Sequence, residues 1–149
     1  PLVVLRTSTA AFQPAKAARG HVIWDRFDRE VLGCNYQGYN PKSRNTGCDV
    51  WCVPEAAGHP VLKGVPPRWH SSSWLYRLRP LAPGTTVLVM GRWSSEDPDE
   101  PVAWTHTYDG AKVFYTMLGH PDDFRSEPFL RLLENAIRWA LDETEPAKK

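Results

Sequence analysis

The sequence lacks the features expected of a membrane protein or of a nucleic-acid-binding protein. No apolar run approaches the roughly 18 residues that a membrane-spanning helix requires. The 18 basic and 17 acidic residues nearly cancel, leaving a net charge of +1. Binding to nucleic acid needs clusters of uncompensated Lys and Arg. We therefore expect neither a membrane nor a nucleic acid as partner.

Cysteine is scarce, with three residues at Cys34, Cys48 and Cys52. On a strand, Cys48 and Cys52 would lie about 13 Å apart, too far for a disulfide, whereas on a helical turn they would meet. A zinc site would need a fourth ligand and closer spacing. We expect ordinary buried thiols, no metal and no cofactor.

The bulk composition is that of one folded domain. The chain has 149 residues, of which 42% are hydrophobic and 23% charged, enough for a substantial core. It begins at Pro1 and enters an apolar segment at once, which we interpret as a fragment or a processed chain. A cytoplasmic location and export by a signal peptide preceding Pro1 both stay open.

The hydropathy pattern predicts an α/β fold. The opening "PLVVLR" is a continuous apolar run, typical of a strand buried on both faces in the interior of a parallel sheet. Apolar residues at helical spacing then predict a helix that ends at Gly33. Further strands are expected at "DVWCV" and "TTVLVMGRW", and one is possible at "WLYRL". The apolar residues of the first helix are Trp24, Phe27, Val31 and Leu32.

The last third of the sequence has the clearest signals. In "PVAWTHTYDGAKVFYTML" two strand-forming runs flank Asp109-Gly110, a common tight turn, and predict a β-hairpin. Ser126 and Pro128 are typical of a helix start. The helix that follows has one apolar face, which we expect to pack on the sheet. Its apolar residues are Phe129, Leu132, Leu133, Ala136, Ile137, Ala140 and Leu141.

The end of the hairpin, "VFYTMLGHPDDF", places His120 directly after a buried strand and two carboxylates shortly after it. Strand ends on a rigid sheet commonly hold functional groups. His120 can transfer protons or contact a ligand, and Asp122 and Asp123 can orient its ring. In the alternative reading, His120 caps a turn, and Asp122 and Asp123 only complement the dipole of the next helix.

Three groups of segments, in this order, resemble the ThuA-like family, which is named for trehalose utilization and shares the class I glutamine amidotransferase-like fold. They are "LVVLRTSTAAF" with "WDRFDREVLGCNYQGY", then "HPVLKGV", and finally "PVAWTHTYDGAKVFYTMLGHPDDF" leading into "FLRLLENAIRWAL". The resemblance implies a flavodoxin-like, mainly parallel sheet with flanking helices. Residues 1–149 would then be the C-terminal two thirds of the family domain.

The resemblance also implies where a catalytic site would lie. His120 matches the catalytic His of amidotransferases of this fold, and the nucleophilic Cys would fall in the turn that follows "LVVLR". That turn contains no Cys, so glutaminase chemistry is excluded. Where many relatives have His, this chain has Ala11, Gln37 and Tyr39, which puts any activity that depends on those imidazoles in doubt.

Other polar residues near these turns are candidates for substrate binding. Arg6 ends a buried strand and needs either a ligand anion or an internal carboxylate. Thr7 and Ser8 can donate to sugar hydroxyls, although both are common turn residues. The remaining candidates are Asn35 and Tyr39, in a polar aromatic wall, and His106, on a strand face.

Two functions follow from the resemblance. The chain acts on or binds a small sugar derivative in a cleft at the C-terminal edge of the sheet, with His120 and Asp122 as catalytic candidates. Alternatively, it is a non-catalytic binding or interaction module, which the residues at Ala11, Gln37 and Tyr39 favour. A homo-oligomer is compatible with both functions.

Overall fold

The protein was analysed as a computed structural model that describes residues 1–16 and 18–143. The described residues form six strands and two α-helices, joined by short 3-10 turns. The strands are β1 (Leu2–Leu5), β2 (Cys48–Cys52), β3 (Arg68–Ser71), β4 (Thr86–Arg92), β5 (Glu100–Tyr108) and β6 (Ala111–Thr116). The helices are α1 (Phe27–Glu30) and α2 (Glu127–Ala140).

All six strands belong to one curled, mixed sheet in the order β1-β6-β5-β4-β2-β3. Only the β1-β6 pair is parallel among these strands, and the other four pairs are antiparallel. The α/β class is confirmed, but the expectation of a mainly parallel sheet was wrong, and a flavodoxin-like arrangement is not confirmed. Neighbouring strands here are mostly consecutive along the chain, and such strands pair antiparallel.

Strand β1 lies at the edge of the sheet, which corrects its expected interior position. Its residues pair with β6 from Leu2 opposite Val113 to Leu5 opposite Thr116, and no described strand pairs with its other side. Val4 is buried, and its neighbours Val3 and Leu5 are partly buried. The apolar run at the start of the sequence therefore predicted that side chains on the faces of β1 would be shielded from water. It did not predict how many strands pair with β1.

The hairpin of β5 and β6 is confirmed. The residues of the turn, Asp109 and Gly110, have φ values of 48° and 72°, as a two-residue hairpin turn of the mirror-image type requires. From Glu100 to Thr105, six consecutive residues of β5 are buried. Both faces of this strand are therefore covered, although it is antiparallel to its neighbours.

The closing helix is also confirmed. Helix α2 contacts β1 and β6, with Phe129, Leu132 and Ala136 buried beneath it. The Asn135 side chain donates to the carbonyls of Val61 and Lys63, which fixes the helix to a neighbouring turn. Two apolar side chains of the expected face, Ile137 and Leu141, are exposed instead. The exposed residues Leu130, Ile137 and Leu141 have Glu134 and Arg138 beside them.

The expected helix after the first strand is reduced to four residues, Phe27–Glu30, and a 3-10 turn, Arg6–Ala10, follows β1 directly. Trp24 and Phe27 instead pack their rings against each other, with centroids 5.5 Å apart. The possible strand at "WLYRL" forms only a bridge between Tyr39 and Tyr76. No described helix is long and apolar enough to cross a bilayer.

Candidate functional site

Two turns meet at the carboxyl edge of the parallel pair β1 and β6. Arg6 follows β1, and Gly119 lies three residues beyond the end of β6. Gly119 has φ 116°, and a Cβ on it would lie 3.1 Å from Leu5 Cδ2 and 3.4 Å from Arg6 Cγ. Glycine is needed both for this backbone conformation and for the close approach of the two turns.

Arg6 has a strained backbone. Its φ of 56° lies in the left-handed region, which is uncommon for a residue with a side chain. The hydroxyl of Tyr115 donates to the Arg6 carbonyl at 2.7 Å, and Ser8 Oγ donates to the Leu5 carbonyl at 2.9 Å. Surrounding hydrogen bonds thus hold the strain in place, and strain of this kind concentrates at functional sites.

Three buried polar atoms at this turn lack a hydrogen-bond partner in the described part of the chain. They are Nη1 of Arg6, Oγ1 of Thr9 and Oη of Tyr76, and we call these three residues the Arg6 cluster. Burial raises the pKa of the Tyr76 and Tyr115 phenols, and the neighbouring side chains of Arg6 and Thr9, respectively, partly oppose this rise, so these side chains lie beside one another. Buried polar atoms are nearly always paired, so the cluster is suited to a polar ligand.

Tyrosine phenols surround the cluster and stay neutral. Burial raises the pKa of Tyr36, Tyr76 and Tyr115, so each keeps a hydroxyl proton that it can donate at neutral pH. The Tyr36 and Tyr76 rings meet edge to face with centroids 5.7 Å apart. Tyr39 pairs its backbone with Tyr76 and places its ring 4.9 Å from that of Trp74, beside this group of phenols.

Two groups of Asp122 compete for Nδ1 of the half-buried His120 ring. Its Nδ1 lies 3.2 Å from the backbone nitrogen of Asp122 and 3.4 Å from Oδ2 of the same residue. A neutral ring accepts the N–H at Nδ1, whereas a protonated ring donates to the carboxylate. Nε2 has no hydrogen-bond partner among the described residues. The arrangement suits a group that exchanges a proton or contacts a ligand.

The Asp123 carboxylate holds the turn after β6 in place. It is 3% exposed and accepts hydrogen bonds from five groups. The donors are the hydroxyls of Ser71 and Ser73 and the backbone N–H groups of Ser72, Gly119 and His120, at 2.6–3.2 Å. These contacts connect the end of β3 with the end of β6, so Asp123 positions His120 through the backbone.

Of the remaining residues predicted to bind substrate, Thr7 lies beside Arg6, whereas Asn35 and His106 lie elsewhere. Thr7 is exposed on the 3-10 turn, one residue from Arg6. Asn35 lines a separate groove of about 410 Å³ with Arg29 and Leu81. His106 pairs with Val113, which is opposite Leu2, so it lies toward the end of β1 away from Arg6. Its ring packs against Gly33, where a Cβ would approach it to 2.9 Å.

The cysteines offer no thiolate. Burial raises the pKa of Cys48 to about 12, and it also raises the pKa of Cys34 and of Cys52. All three are free thiols, protonated at neutral pH. Within residues 1–16 and 18–143, no group of three or more His, Cys, Asp or Glu side chains is arranged to hold a metal.

Glu100, at the start of β5, gives a pH-dependent prediction. The residue is 8% exposed, and its Oε2 has no hydrogen-bond partner in the described chain, while Arg79 Nε is 3.9 Å away. Burial raises the pKa of Glu100, and Arg79 and Arg77 only partly oppose this. The folded state therefore binds this proton more tightly than the unfolded state, so its contribution to stability is lost as pH rises through the folded pKa.

We expect Glu100→Gln to raise the melting temperature at pH 7.5 by about 2–4 °C, the equivalent of roughly 1 kcal/mol for a chain of this size. The gain should shrink as the pH falls toward 4.5, because the raised pKa of Glu100 leaves more of the wild-type carboxyl protonated there. Scanning calorimetry at both pH values measures it, with the exposed Glu96→Gln as control. A gain of the same size at both pH values would contradict this account.

Sequence reasoning missed the contributions of Thr9, Tyr76 and Tyr115 and the structural role of Asp123. The hydropathy pattern placed Tyr115 in a strand and Asp123 in a turn. Their hydrogen-bond partners, Arg6 and Ser71, lie far from them in sequence. Arg6 and Tyr115 are 109 positions apart, and Ser71 and Asp123 are 52 apart. The sequence offered one indication of these contacts, namely a tyrosine within an apolar strand, because a buried tyrosine hydroxyl usually finds a hydrogen-bond partner.

The profile of the ThuA family, described as trehalose utilisation, matches residues 11–140. A similar solved structure is that of a ThuA-like protein from Parabacteroides merdae, with a TM-score of 0.64 and 20% sequence identity. The match covers 98% of this chain and 62% of that chain, so this chain spans less than two thirds of its neighbour. No curated protein shows a significant match. At this identity the likeness supports the fold alone.

Proposed function

This chain belongs to the ThuA family, and from that premise we propose that it acts on or binds a small sugar or sugar derivative at the carboxyl edge of β1 and β6. The family description, trehalose utilisation, supports a carbohydrate role. The observation on which the proposal rests is the Arg6 cluster, where three buried polar atoms lack partners beside a strained turn. Sugars present closely spaced hydroxyls that both donate and accept, and so can satisfy such atoms.

The proposed binding mode assigns a role to each side chain. Arg6 donates from its guanidinium, while Tyr76 and Thr9 offer hydroxyls that can donate or accept. The rings of Tyr36 and Tyr39 form an aromatic wall beside them, and His120 contributes its free Nε2 from the adjoining turn. Asp122 orients the imidazole, with its Oδ2 3.4 Å from Nδ1 of His120.

Binding without catalysis is the second candidate. Ala11, Gln37 and Tyr39 stand where many relatives have His, and the cysteines are protonated thiols, so the chain provides no activated nucleophile of the amidotransferase type. In this case the Arg6 cluster recognises a sugar and His120 completes the binding surface.

Calorimetric titration of trehalose and glucose into the wild type, Tyr76→Phe and His120→Ala tests the proposal. We expect Tyr76→Phe to weaken binding about 2- to 10-fold, because one neutral hydrogen bond is lost. Tyr108→Phe, an exposed tyrosine at the far end of β5, is the matched control and should bind as the wild type does. No binding of trehalose, of glucose or of an acidic derivative of glucose would refute the proposal. Equal affinity of His120→Ala and wild type would make His120 a turn residue.

A further inference from the structure

The charge around Arg6 is not balanced by the described chain. Its Nη1 is buried and unpaired, and no described carboxylate lies within ion-pair distance of its guanidinium. Arg6 as a whole is partly buried, and a partly desolvated guanidinium is stabilised when it meets an anion. A negatively charged partner would therefore stabilise the Arg6 guanidinium.

The three buried carboxylates of the described chain interact with groups other than Arg6. Asp123 accepts from five donors, and Asp28 accepts from the backbone N–H groups of Arg29 and Tyr36. Glu100 faces Arg79 at the start of β5. Because the phenols near Arg6 are neutral, they do not supply the charge either. The described residues therefore leave the Arg6 guanidinium without a carboxylate partner, and a ligand anion could take that place.

The form of the site favours a carboxylate over a phosphate. A guanidinium presents two parallel N–H groups that match the two oxygens of a carboxylate. A phosphate dianion usually receives more positive charge than one arginine supplies. The turn after β1 is a five-residue 3-10 segment with no basic residue in its last turn.

We infer that the ligand of this site is a sugar acid, with its carboxylate on the Arg6 guanidinium and its hydroxyls on Tyr76 and Thr9. This inference deepens the proposed function and rests on it. Arg6 then selects an acidic sugar over the neutral sugar of the same ring size.

The test titrates D-glucuronate, D-glucose and glucose 6-phosphate into the 149-residue chain by calorimetry. Glucuronate and glucose differ at one carbon, so their affinity ratio isolates the carboxylate. We expect glucuronate to bind about 10- to 100-fold more tightly than glucose, the usual gain from a charge-assisted pair. Arg6→Gln should abolish the preference, whereas Arg131→Gln, which removes an exposed arginine of α2, should keep it.

Arg6→Lys is a second variant in case the glutamine variant does not fold, as far-UV circular dichroism will show. Lysine keeps the positive charge but lacks the planar pair of N–H groups of a guanidinium. The preference for glucuronate over glucose should therefore fall at least severalfold. Equal affinity for glucuronate and glucose in the wild type would overturn the inference and leave the proposed function intact. Tighter binding of glucose 6-phosphate than of glucuronate would overturn the carboxylate assignment. If none of these ligands nor trehalose binds, the proposed function falls as well.

Discussion

Asp123→Ala is expected to lower the free energy of unfolding by about 3–5 kcal/mol, because it removes a buried carboxylate that accepts several hydrogen bonds. The carboxylate accepts from two serine hydroxyls and three backbone N–H groups, and four of these donors would lose their acceptor, whereas the His120 N–H keeps the Ser73 hydroxyl. Buried donors without partners cost about 1–3 kcal/mol each, although water entry and reorientation of the serines reduce the sum.

Urea denaturation at pH 7.5 measures this change as a lower midpoint at unchanged slope. The control is Asp122→Ala, which removes a carboxylate from the adjacent, exposed position and should change the unfolding free energy by less than about 0.5 kcal/mol. Asp123→Asn keeps one acceptor oxygen and should fall between these two variants. A loss below about 1 kcal/mol for Asp123→Ala would show that Asp123 does not hold the turn.

Trp104→Ala is expected to cost about 3–5 kcal/mol through lost burial and a residual cavity. Trp104 is fully buried on β5, and its ring stacks on that of Tyr115 with centroids 4.6 Å apart. Its Nε1 donates to the Leu32 carbonyl at 2.8 Å, which attaches the segment after α1 to the sheet. Because Tyr115 holds the Arg6 carbonyl, loss of Trp104 should also loosen the Arg6 turn.

Thermal and urea unfolding give the stability change, and Trp51→Ala is the matched control. Trp51 is half-buried on β2, with Arg68 and Arg92 each 5.6 Å from its ring, and it should cost far less. Trp104→Phe keeps most of the apolar volume but leaves the Leu32 carbonyl without its donor, so an intermediate loss is expected. Equal losses for Trp104→Ala and Trp51→Ala would contradict the assignment of Trp104 to the core.

Part of the candidate site could be anticipated from the sequence. His120 and Arg6 were expected at strand ends, and the parallel pairing of β1 and β6 does bring their turns to one edge of the sheet. The close approach of Gly119 to Arg6 is a consequence of this pairing. The left-handed φ of Arg6 could not be foreseen, because only the Tyr115 hydroxyl and the packing around it hold an arginine in that conformation.

The sequence by itself determined the local elements of this protein. The three- and four-residue spacing of apolar side chains specifies α2, and Asp109-Gly110 specifies the hairpin turn, because periodicity and φ preference act within a few residues. Only the tertiary structure decided the strand order, the edge position of β1, and the meeting of Arg6 with Tyr76 and of Asp123 with Ser71 and Ser73. The physical reason is that hydropathy records whether a side chain is buried, whereas strand neighbours and buried hydrogen bonds depend on residues tens of positions away.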